Sequence, residues 1–309
     1  MNVGVIGGGE IGTGLVRRLV TTTFVSEVTW LNRSLEKIAA TVVDIQQGLA
    51  FSPSCRRVVA RPADARGARS VKDCDVVVLA IGQGVPEGGT RRDVLRPNEK
   101  IVREAVTTLL TDFAGVLLVV SNPVDMMSRA AALARGAPYD RTIGLGTVVE
   151  TARLRASLAS RVTPVRAARE IWAYAVGTHD EQFIPVPVPH LGLGAAIPEP
   201  AFAIMTESAR DEVAAAAARV KGAGGKGTLF PIVEGIVSVV DAIVHNTHEL
   251  MTISVHCSDE PDDLYYSVPC RVGRHGAGER VLPEIAGIPD ALEACRKRLR
   301  DDATSLKAQ

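Results

Sequence analysis

The most constraining feature of the chain lies at its start. A short apolar run, Met1–Ile6, ends in Gly7-Gly8-Gly9-Glu10-Ile11-Gly12. Ile11–Thr22 then carries Ile11, Leu15, Val16 and Leu19 at helical spacing. A GxGxxG turn between a strand and a helix has the chemistry of a phosphate cradle. Gly7 permits the tight turn, Gly9 lets the backbone approach a pyrophosphate, and Gly12 lets helix and strand pack closely. The helix start at Glu10 and Ile11 supplies N–H groups and positive potential. The plainer alternative is an ordinary glycine-rich turn, and GxGxxG alone does not decide between them. The strand before it and the helix after it favour the dinucleotide reading.

The rest of the first half keeps the same alternation. Glu27–Leu31 reads as a strand and Leu35–Gln47 as a helix, with Ile38, Val42 and Ile45 on one stripe. Asp75–Ala80 and Val116–Val120 are continuous apolar runs, the pattern of parallel strands covered on both faces, and Asn98–Thr111 is helical between them. Alternation of this kind predicts an α/β fold, a doubly wound parallel sheet. The second half differs. Ile171–Val176 reads as a strand, Glu199–Gly222 and Thr228–Asn246 as helices, and Met251–Cys257 and Tyr265–Val272 as antiparallel strands with Pro261 and Asp262–Asp263 in the turn. Pro289–Asp302 is a charged helix. The expected division is 1–145, a dinucleotide-binding domain, and 146–309, an α+β substrate domain.

Composition narrows the function. With 46% apolar residues over 309 positions the chain can bury a sizeable core, so neither disulfides nor a structural metal are required. Lys+Arg and Asp+Glu are equal at 35, a balance that points to neither nucleic acid nor an anionic membrane. No apolar stretch is long enough to span a bilayer, and the first residues lack a secretion signal. The five cysteines are scattered, without metal or redox spacing, and read as reduced thiols; no metal site is expected. The expected compartment is cytoplasmic.

Cofactor choice is read at the end of the second strand, Asn32-Arg33-Ser34. An NAD site usually carries an acid here, on the ribose 2′-hydroxyl. Asn32 removes that carboxylate, and Arg33 and Ser34 offer a cation and a hydroxyl to a 2′-phosphate. NADP(H) is therefore expected over the alternative, NAD(H). The bland reading is that Arg33 is a solvated charge and Asn32 caps the next helix.

Further segments, in order, resemble the lactate/malate dehydrogenase family. Ala80-Ile81-Gly82 opens a loop, Gln83–Arg91, similar to the family's mobile active-site loop. Val120-Ser121-Asn122-Pro123-Val124-Asp125 closely resembles its SNPVD motif. Gly144–Arg155 resembles its helix bearing an acid and, three residues on, an arginine; Gly177-Thr178-His179-Asp180-Glu181 resembles its GEHGD segment, with Pro185 at the proline that follows. Tyr265–Pro269 with Gly273 and Gly276 resembles its last hairpin. The resemblance covers nearly the whole chain and implies a Rossmann domain plus an α+β substrate domain. It implies an NAD(P)-dependent oxidoreductase that interconverts a 2-oxo and a 2-hydroxy acid. In those terms His179 is the acid/base with Glu150 as partner, Arg91 polarises the carbonyl, Asn122 orients it, and Arg153 grips the substrate carboxylate. Ala80, Gly82 and Asn122 also line the cofactor, and the family's threonine is Thr228, with Leu229 the other candidate. Ser34–Phe51 resembles the family's dimer-forming helix, which implies a homodimer or homotetramer; the alternative is an ordinary core helix.

The chemistry fits these roles. Hydride addition to a ketone leaves an alkoxide to be protonated, and a histidine titrates near neutrality. A carboxylate on its other ring nitrogen fixes the tautomer. An arginine holds a carboxylate with two parallel hydrogen bonds. Singly, each residue has a plain reading: His179, like His190, His245, His248, His256 and His275, as structural, Glu150 and Arg153 as a surface helix pair, Arg91 and Arg92 as solvated loop charges. Their joint order carries the functional reading.

Three departures bear on specificity. Glu150 stands where the family has Asp, so its extra methylene must be absorbed. Asp180 stands at a glycine position. Val85 aligns with the loop position that holds Arg in malate enzymes and Gln in lactate enzymes, so a second substrate carboxylate would find no partner. A monocarboxylic acid is expected, unless Arg92 swings in. The rivals are an NAD-dependent malate or lactate dehydrogenase, an NAD-dependent glycosidase (which would need a Cys and His metal set absent beside His179), and a non-catalytic dinucleotide sensor.

Overall fold

The computed structural model describes residues 1–86, 88–136, 138–161, 167–180, 182–187, 199–223, 227–257, 263–282 and 287–307. The first half alternates strand and helix: β1 (Asn2–Ile6), α1 (Glu10–Leu19), β2 (Glu27–Asn32), α2 (Glu36–Gly48), β3 (Arg57–Pro62), α3 (Ala65–Val71), β4 (Val76–Leu79), α4 (Leu95–Leu109), β5 (Val116–Val119), α5 (Val124–Arg135) and β6 (Thr142–Gly144). The second half contains α6 (Val148–Arg161), β7 (Ala173–Val176), β8 (Ile184–Pro187), α7 (Glu199–Gly222), α8 (Phe230–His245), β9 (Glu249–His256), β10 (Tyr265–Gly273), β11 (Gly276–Arg280) and α9 (Ile288–Lys307).

One sheet runs through most of the fold in the order β11-β10-β9-β6-β5-β4-β1-β2-β3. The strands from β3 to β6 pair in parallel. Every residue of β4 and β5 is buried, which is why both read as unbroken apolar runs. The order 3-2-1-4-5-6 places a switch point between β1 and β4, and ligands of such sheets bind outside the strand ends there. Antiparallel β9, β10 and β11 extend the same sheet, joined by a single pairing of Gly144 with Ser254. The α/β class and mixed second half are those the sequence predicts.

Several elements depart from the reading of the sequence. Edge strand β3 has no readable apolar pattern because arginines interrupt it, and α3, α5, β6 and β8 are additions to the elements the sequence predicts. Helix α4 starts at Leu95 rather than Asn98; Pro97 in its first turn gives up only an N–H that has no helical partner. Helix α9 runs on to Lys307. Pro261 and Asp262 of the anticipated turn, with Glu181 and His190, lie outside the described residues. Beside the main core, Leu154, Leu158, Ile171, Ala173, Phe183 and Val213 form a smaller one that seats α6 and α7 on the β7–β8 hairpin. This second core anchors the base of the segment that follows β7. Among the described residues no helix is long and apolar enough to cross a membrane.

Candidate active site

The glycine turn is shaped by close approaches of main chain. Gly7 has φ +127°, and a Cβ there would lie 2.1 Å from the Ala80 carbonyl oxygen. A Cβ on Gly12 would lie 2.1 Å from the Gly7 carbonyl oxygen. Buried Trp30 donates its indole N–H to that same oxygen at 2.7 Å, tying β2 to the turn. Gly9, the residue capping α1, has open space on its Cβ side and no side-chain cap. The first N–H groups of α1, at Glu10 and Ile11, thus lie beside a cradle that any side chain at position 9 would fill, and this fits a dinucleotide pyrophosphate.

At the end of β2, Asn32 donates its side-chain amide to the Ser34 carbonyl at 2.8 Å. The Ser34 hydroxyl donates to the Glu36 carboxylate at 2.7 Å, which holds that carboxyl below the usual range. Arg33 is exposed. The corner read as a phosphate pocket therefore carries an anion as well as a cation. Glu36 was not weighed from the sequence, although it sits two residues beyond Ser34.

The acid–base cluster joins residues far apart in the chain. The His179 ring nitrogen Nδ1 lies 2.8 Å from Glu150 Oε2. The other Glu150 oxygen accepts from Arg153 Nη1 at 3.4 Å, and Arg153 Nη2 donates to the Thr228 hydroxyl at 3.0 Å. Glu150 and Arg153 share one face of α6 at i,i+3 spacing. Thr228 stands just before α8, and Leu229, the other candidate, packs toward Gly14. The side chains of His179, Glu150 and Arg153 are 22%, 7% and 19% exposed, so the pair is shielded while the histidine keeps an open edge. Glutamate's extra methylene still closes a good hydrogen bond. Burial disfavours charge on both partners, but their mutual attraction prevails: His179 is raised above the ordinary imidazole value, and Glu150, aided by Arg153, is held below the carboxylate value.

The remaining predicted residues are spread around this cluster. Arg91 begins a 3₁₀ turn, Arg91–Val94, and donates to the His179 carbonyl oxygen. Val85 is 46% exposed in the loop after β4. Asn122 follows β5 with an exposed side chain and a cis peptide to Pro123. Ala80 follows β4 and faces the glycine turn, its N–H donating to the Ile6 carbonyl at 2.9 Å, and Gly82 two residues on lies against Asn98.

Several residues with a part in the site were missed or given no role. Buried Asn98 donates to the carbonyls of Gln83 (3.0 Å) and Asn122 (2.8 Å) and accepts the Gln83 N–H at 2.6 Å, so one amide binds both loops. The signal was a polar residue on the apolar stripe of α4. Asp125 accepts the His179 backbone N–H at 3.2 Å and the Ser254 hydroxyl at 2.6 Å. From α9, Asp302 pairs with Arg92 at 3.2 Å, and Arg298 donates to the Thr178 hydroxyl at 3.3 Å. A cavity of about 200 Å³ between these groups is lined by Arg91, Asp125, His179, Arg298 and Asp302. Nothing local in the sequence announces a contact between α9 and a loop two hundred residues earlier.

Comparison with known proteins agrees with this architecture. Residues 1–144 match the model of the lactate/malate dehydrogenase NAD binding domain. The chain is 31% identical over 322 aligned positions to an L-lactate dehydrogenase of Treponema denticola, covering 98% of each. It is 30% identical to one of Oceanobacillus iheyensis, covering 89% of this chain and 86% of that one. Among solved structures, a minor L-lactate dehydrogenase from Enterococcus mundtii superposes with TM-score 0.89 at 22% identity, over 100% of this chain and 99% of that one, which speaks for the fold. A lactate dehydrogenase from a Medee basin deep-sea metagenome library superposes with TM-score 0.85 at 27% identity, over 99% and 98%. With its glycine cradle, its acid-paired histidine and these relatives over its full length, the chain belongs to the lactate/malate dehydrogenase family: it is a dehydrogenase that acts on the CH–OH group of a 2-hydroxy acid with a nicotinamide cofactor.

Proposed function

We propose that the chain interconverts a 2-oxo and an L-2-hydroxy monocarboxylic acid, with His179 as acid/base and NAD(H) as the preferred cofactor. The observation that carries this reading is the Glu150 carboxylate, divided between the His179 ring and Arg153. When bound, the nicotinamide ring supplies or accepts the hydride. Gly7, Gly9, Gly12 and the start of α1 would hold the pyrophosphate, and Ala80, Gly82 and Asn122 would line the rest of the cofactor.

In reduction, His179 gives its ring proton to the oxygen that gains negative charge, and Glu150 stabilises the imidazolium on Nδ1. Arg153 binds the substrate carboxylate, its guanidinium oriented by Glu150 and Thr228. Arg91 leaves the His179 carbonyl when the loop closes and stabilises the developing oxyanion together with Asn122. Val85, apolar and at the loop position that faces the substrate, favours a monocarboxylic acid over oxaloacetate, and the L-lactate dehydrogenases among the relatives support the same class. NAD(H) is favoured because the Ser34 hydroxyl is engaged by Glu36, whose carboxylate repels a 2′-phosphate. The second reading, NADP(H), rests on the exposed Arg33. Exposed Val43 on α2 and exposed Phe51 just beyond it support a homo-oligomer, to be measured by light scattering.

The test is steady-state oxidation of NADH and NADPH against a panel of pyruvate, oxaloacetate and larger apolar 2-oxo acids. Turnover of a monocarboxylic acid with NADH is expected. In Arg153→Ala, kcat/KM falls roughly 10²–10³-fold, the loss of a buried charge pair worth about 3–4 kcal/mol. Turnover of oxaloacetate alone would remove the Val85 argument and leave the family standing.

A further inference from the structure

Asp125 ends the SNPVD-like segment, in the first turn of α5, and the reaction scheme above gives it no part. Its carboxylate is 5% exposed. One oxygen accepts the backbone N–H of His179, the other the hydroxyl of fully buried Ser254 on β9. We propose that Asp125 is a positioning residue for the acid–base step: it fixes the His179 main chain, and its negative charge favours the protonated ring. The proposal rests on His179 being the acid/base group.

The geometry is specific. His179 is held at three points by three separate elements: its ring by Glu150 on α6, its carbonyl by Arg91 after the loop, and its N–H by Asp125 on α5. The second contact of the carboxylate, with Ser254, exists because the strands meet closely. A Cβ on Gly144 would lie 2.3 Å from Ser128 Oγ and 2.9 Å from Ser254 Cβ, so the absence of a side chain at the β6–β9 junction lets Ser254 reach α5.

The charge itself is the informative part. An asparagine fills the same volume, accepts the His179 N–H and donates to Ser254. Only the charge distinguishes Asp125 from it, and the fold works against that charge: burial pushes the carboxyl up to about 6, despite the hydrogen bonds from Ser254 and His179. Because the folded state raises this group, the stability it contributes is present at low pH and lost as pH rises through about 6. At neutral pH Asp125 is therefore ionised against the interest of stability, which directs attention to its neighbours. Those facing it are His179 and Asp180 from the loop after β7 and Cys295 from α9, with Arg91, Arg92, Arg298 and Asp302 lining the same cavity. Arg92 is paired with Asp302 and Arg298 engages Thr178, while Asp125 and the His179 ring attract each other through space.

The test follows the His179 ring by NMR against pH in the whole protein, its signal assigned by its absence from His179→Ala, alongside pH profiles of 2-oxo-acid reduction. In Asp125→Asn the thermal midpoint at pH 7.5 is expected to hold or rise. The His179 midpoint moves to lower pH by about half a unit, and the kcat/KM profile moves with it. Ser254→Ala removes a hydrogen bond that holds the Asp125 carboxyl down, so the ring midpoint moves the same way, by less than in Asp125→Asn. Asp125→Ala loses the hold as well, and kcat falls on the order of 10²-fold with KM little changed. An Asp125→Asn protein that fails to fold, or that folds with an unmoved His179 midpoint, overturns the proposal, as does a larger shift in Ser254→Ala than in Asp125→Asn. If no 2-oxo acid is turned over, the ring titration still decides the role of Asp125, and the failure falls on the reaction instead.

Discussion

The two ends of the candidate site are built from different material. The phosphate cradle is main chain: three glycines, a helix start and an indole holding a carbonyl, nearly all within one strand–turn–helix unit. The acid–base end is side chain: Glu150 and Arg153 from α6, His179 after β7, Thr228 before α8 and Asp125 from α5. A main-chain site is specified by what must be absent at a few adjacent positions. A side-chain site is specified by groups that only the completed fold brings together. The first should lose cofactor binding when atoms are added, and the second should keep its fold under isosteric change but lose function with a change of charge.

The largest expected effect is at the side-chain end. His179→Ala removes the proposed proton donor and should lower kcat by about 10³-fold, within the range for general acid–base catalysis. NADH affinity, measured by fluorescence titration, should be nearly unchanged, because the cradle is a separate construction. Equal loss of cofactor binding would break the division between the two ends.

Gly12→Ala is the complementary test. The added methyl meets the Gly7 carbonyl oxygen at 2.1 Å, and main chain on both sides has little room to yield. Overpacking of this kind costs about 2 kcal/mol. Thermal stability and NADH affinity should both fall, the affinity by roughly 30-fold if most of the strain is relieved by opening the turn. Gly9→Ala faces open space instead and should leave stability intact while weakening cofactor binding, which separates the room needed by the fold from the room needed by the ligand.

The same contrast explains what the sequence disclosed. The cradle was legible because its rule is local: strand, glycine spacing, helix. The buried runs of β4 and β5 were legible because both faces are covered. Glu150 and Arg153 could be paired through helical spacing, but their meeting with His179 came only from family resemblance. Asn98, Ser254, Arg298 and Asp302 were opaque. Each is an ordinary polar residue whose partner is distant in sequence, and no period or spacing marks a partner set by tertiary approach. Asp125 was visible as a letter in a motif, and its work on the His179 main chain was not.

The pH dependence sharpens the side-chain half. His179 is raised above the ordinary value of about 6.5, so reduction should be level at low pH and fall as pH rises through a midpoint above 6.5. Oxidation, which needs the neutral ring, should rise through the same midpoint. Glu150→Gln keeps the volume and removes the attraction, leaving burial to dominate, so the midpoint should drop by about one unit or more, a roughly fivefold or greater loss of reduction at the pH of the original midpoint. An unmoved profile would mean that Glu150 orients the ring without stabilising its charge.

The smallest effect is expected where the two kinds of construction meet, at the end of β2. There the main-chain turn Asn32-Arg33-Ser34 presents two opposed side-chain charges, Arg33 and the Glu36 carboxylate held by Ser34. Both are exposed, so water and salt screen them, and their influence on a 2′-phosphate is modest. Glu36→Gln removes the repulsion and retains the hydrogen bond with Ser34. The ratio of kcat/KM for NADPH over NADH should rise roughly two- to fivefold at low salt and less at high salt. Arg33→Ala should lower the same ratio by a similar factor. A wild-type protein that prefers NADPH, with Glu36→Gln silent and Arg33→Ala deleterious, would assign cofactor choice to the cation. The opposite pattern assigns it to Glu36, and a salt-independent ratio would place the choice in the shape of the turn, making this corner an extension of the main-chain cradle.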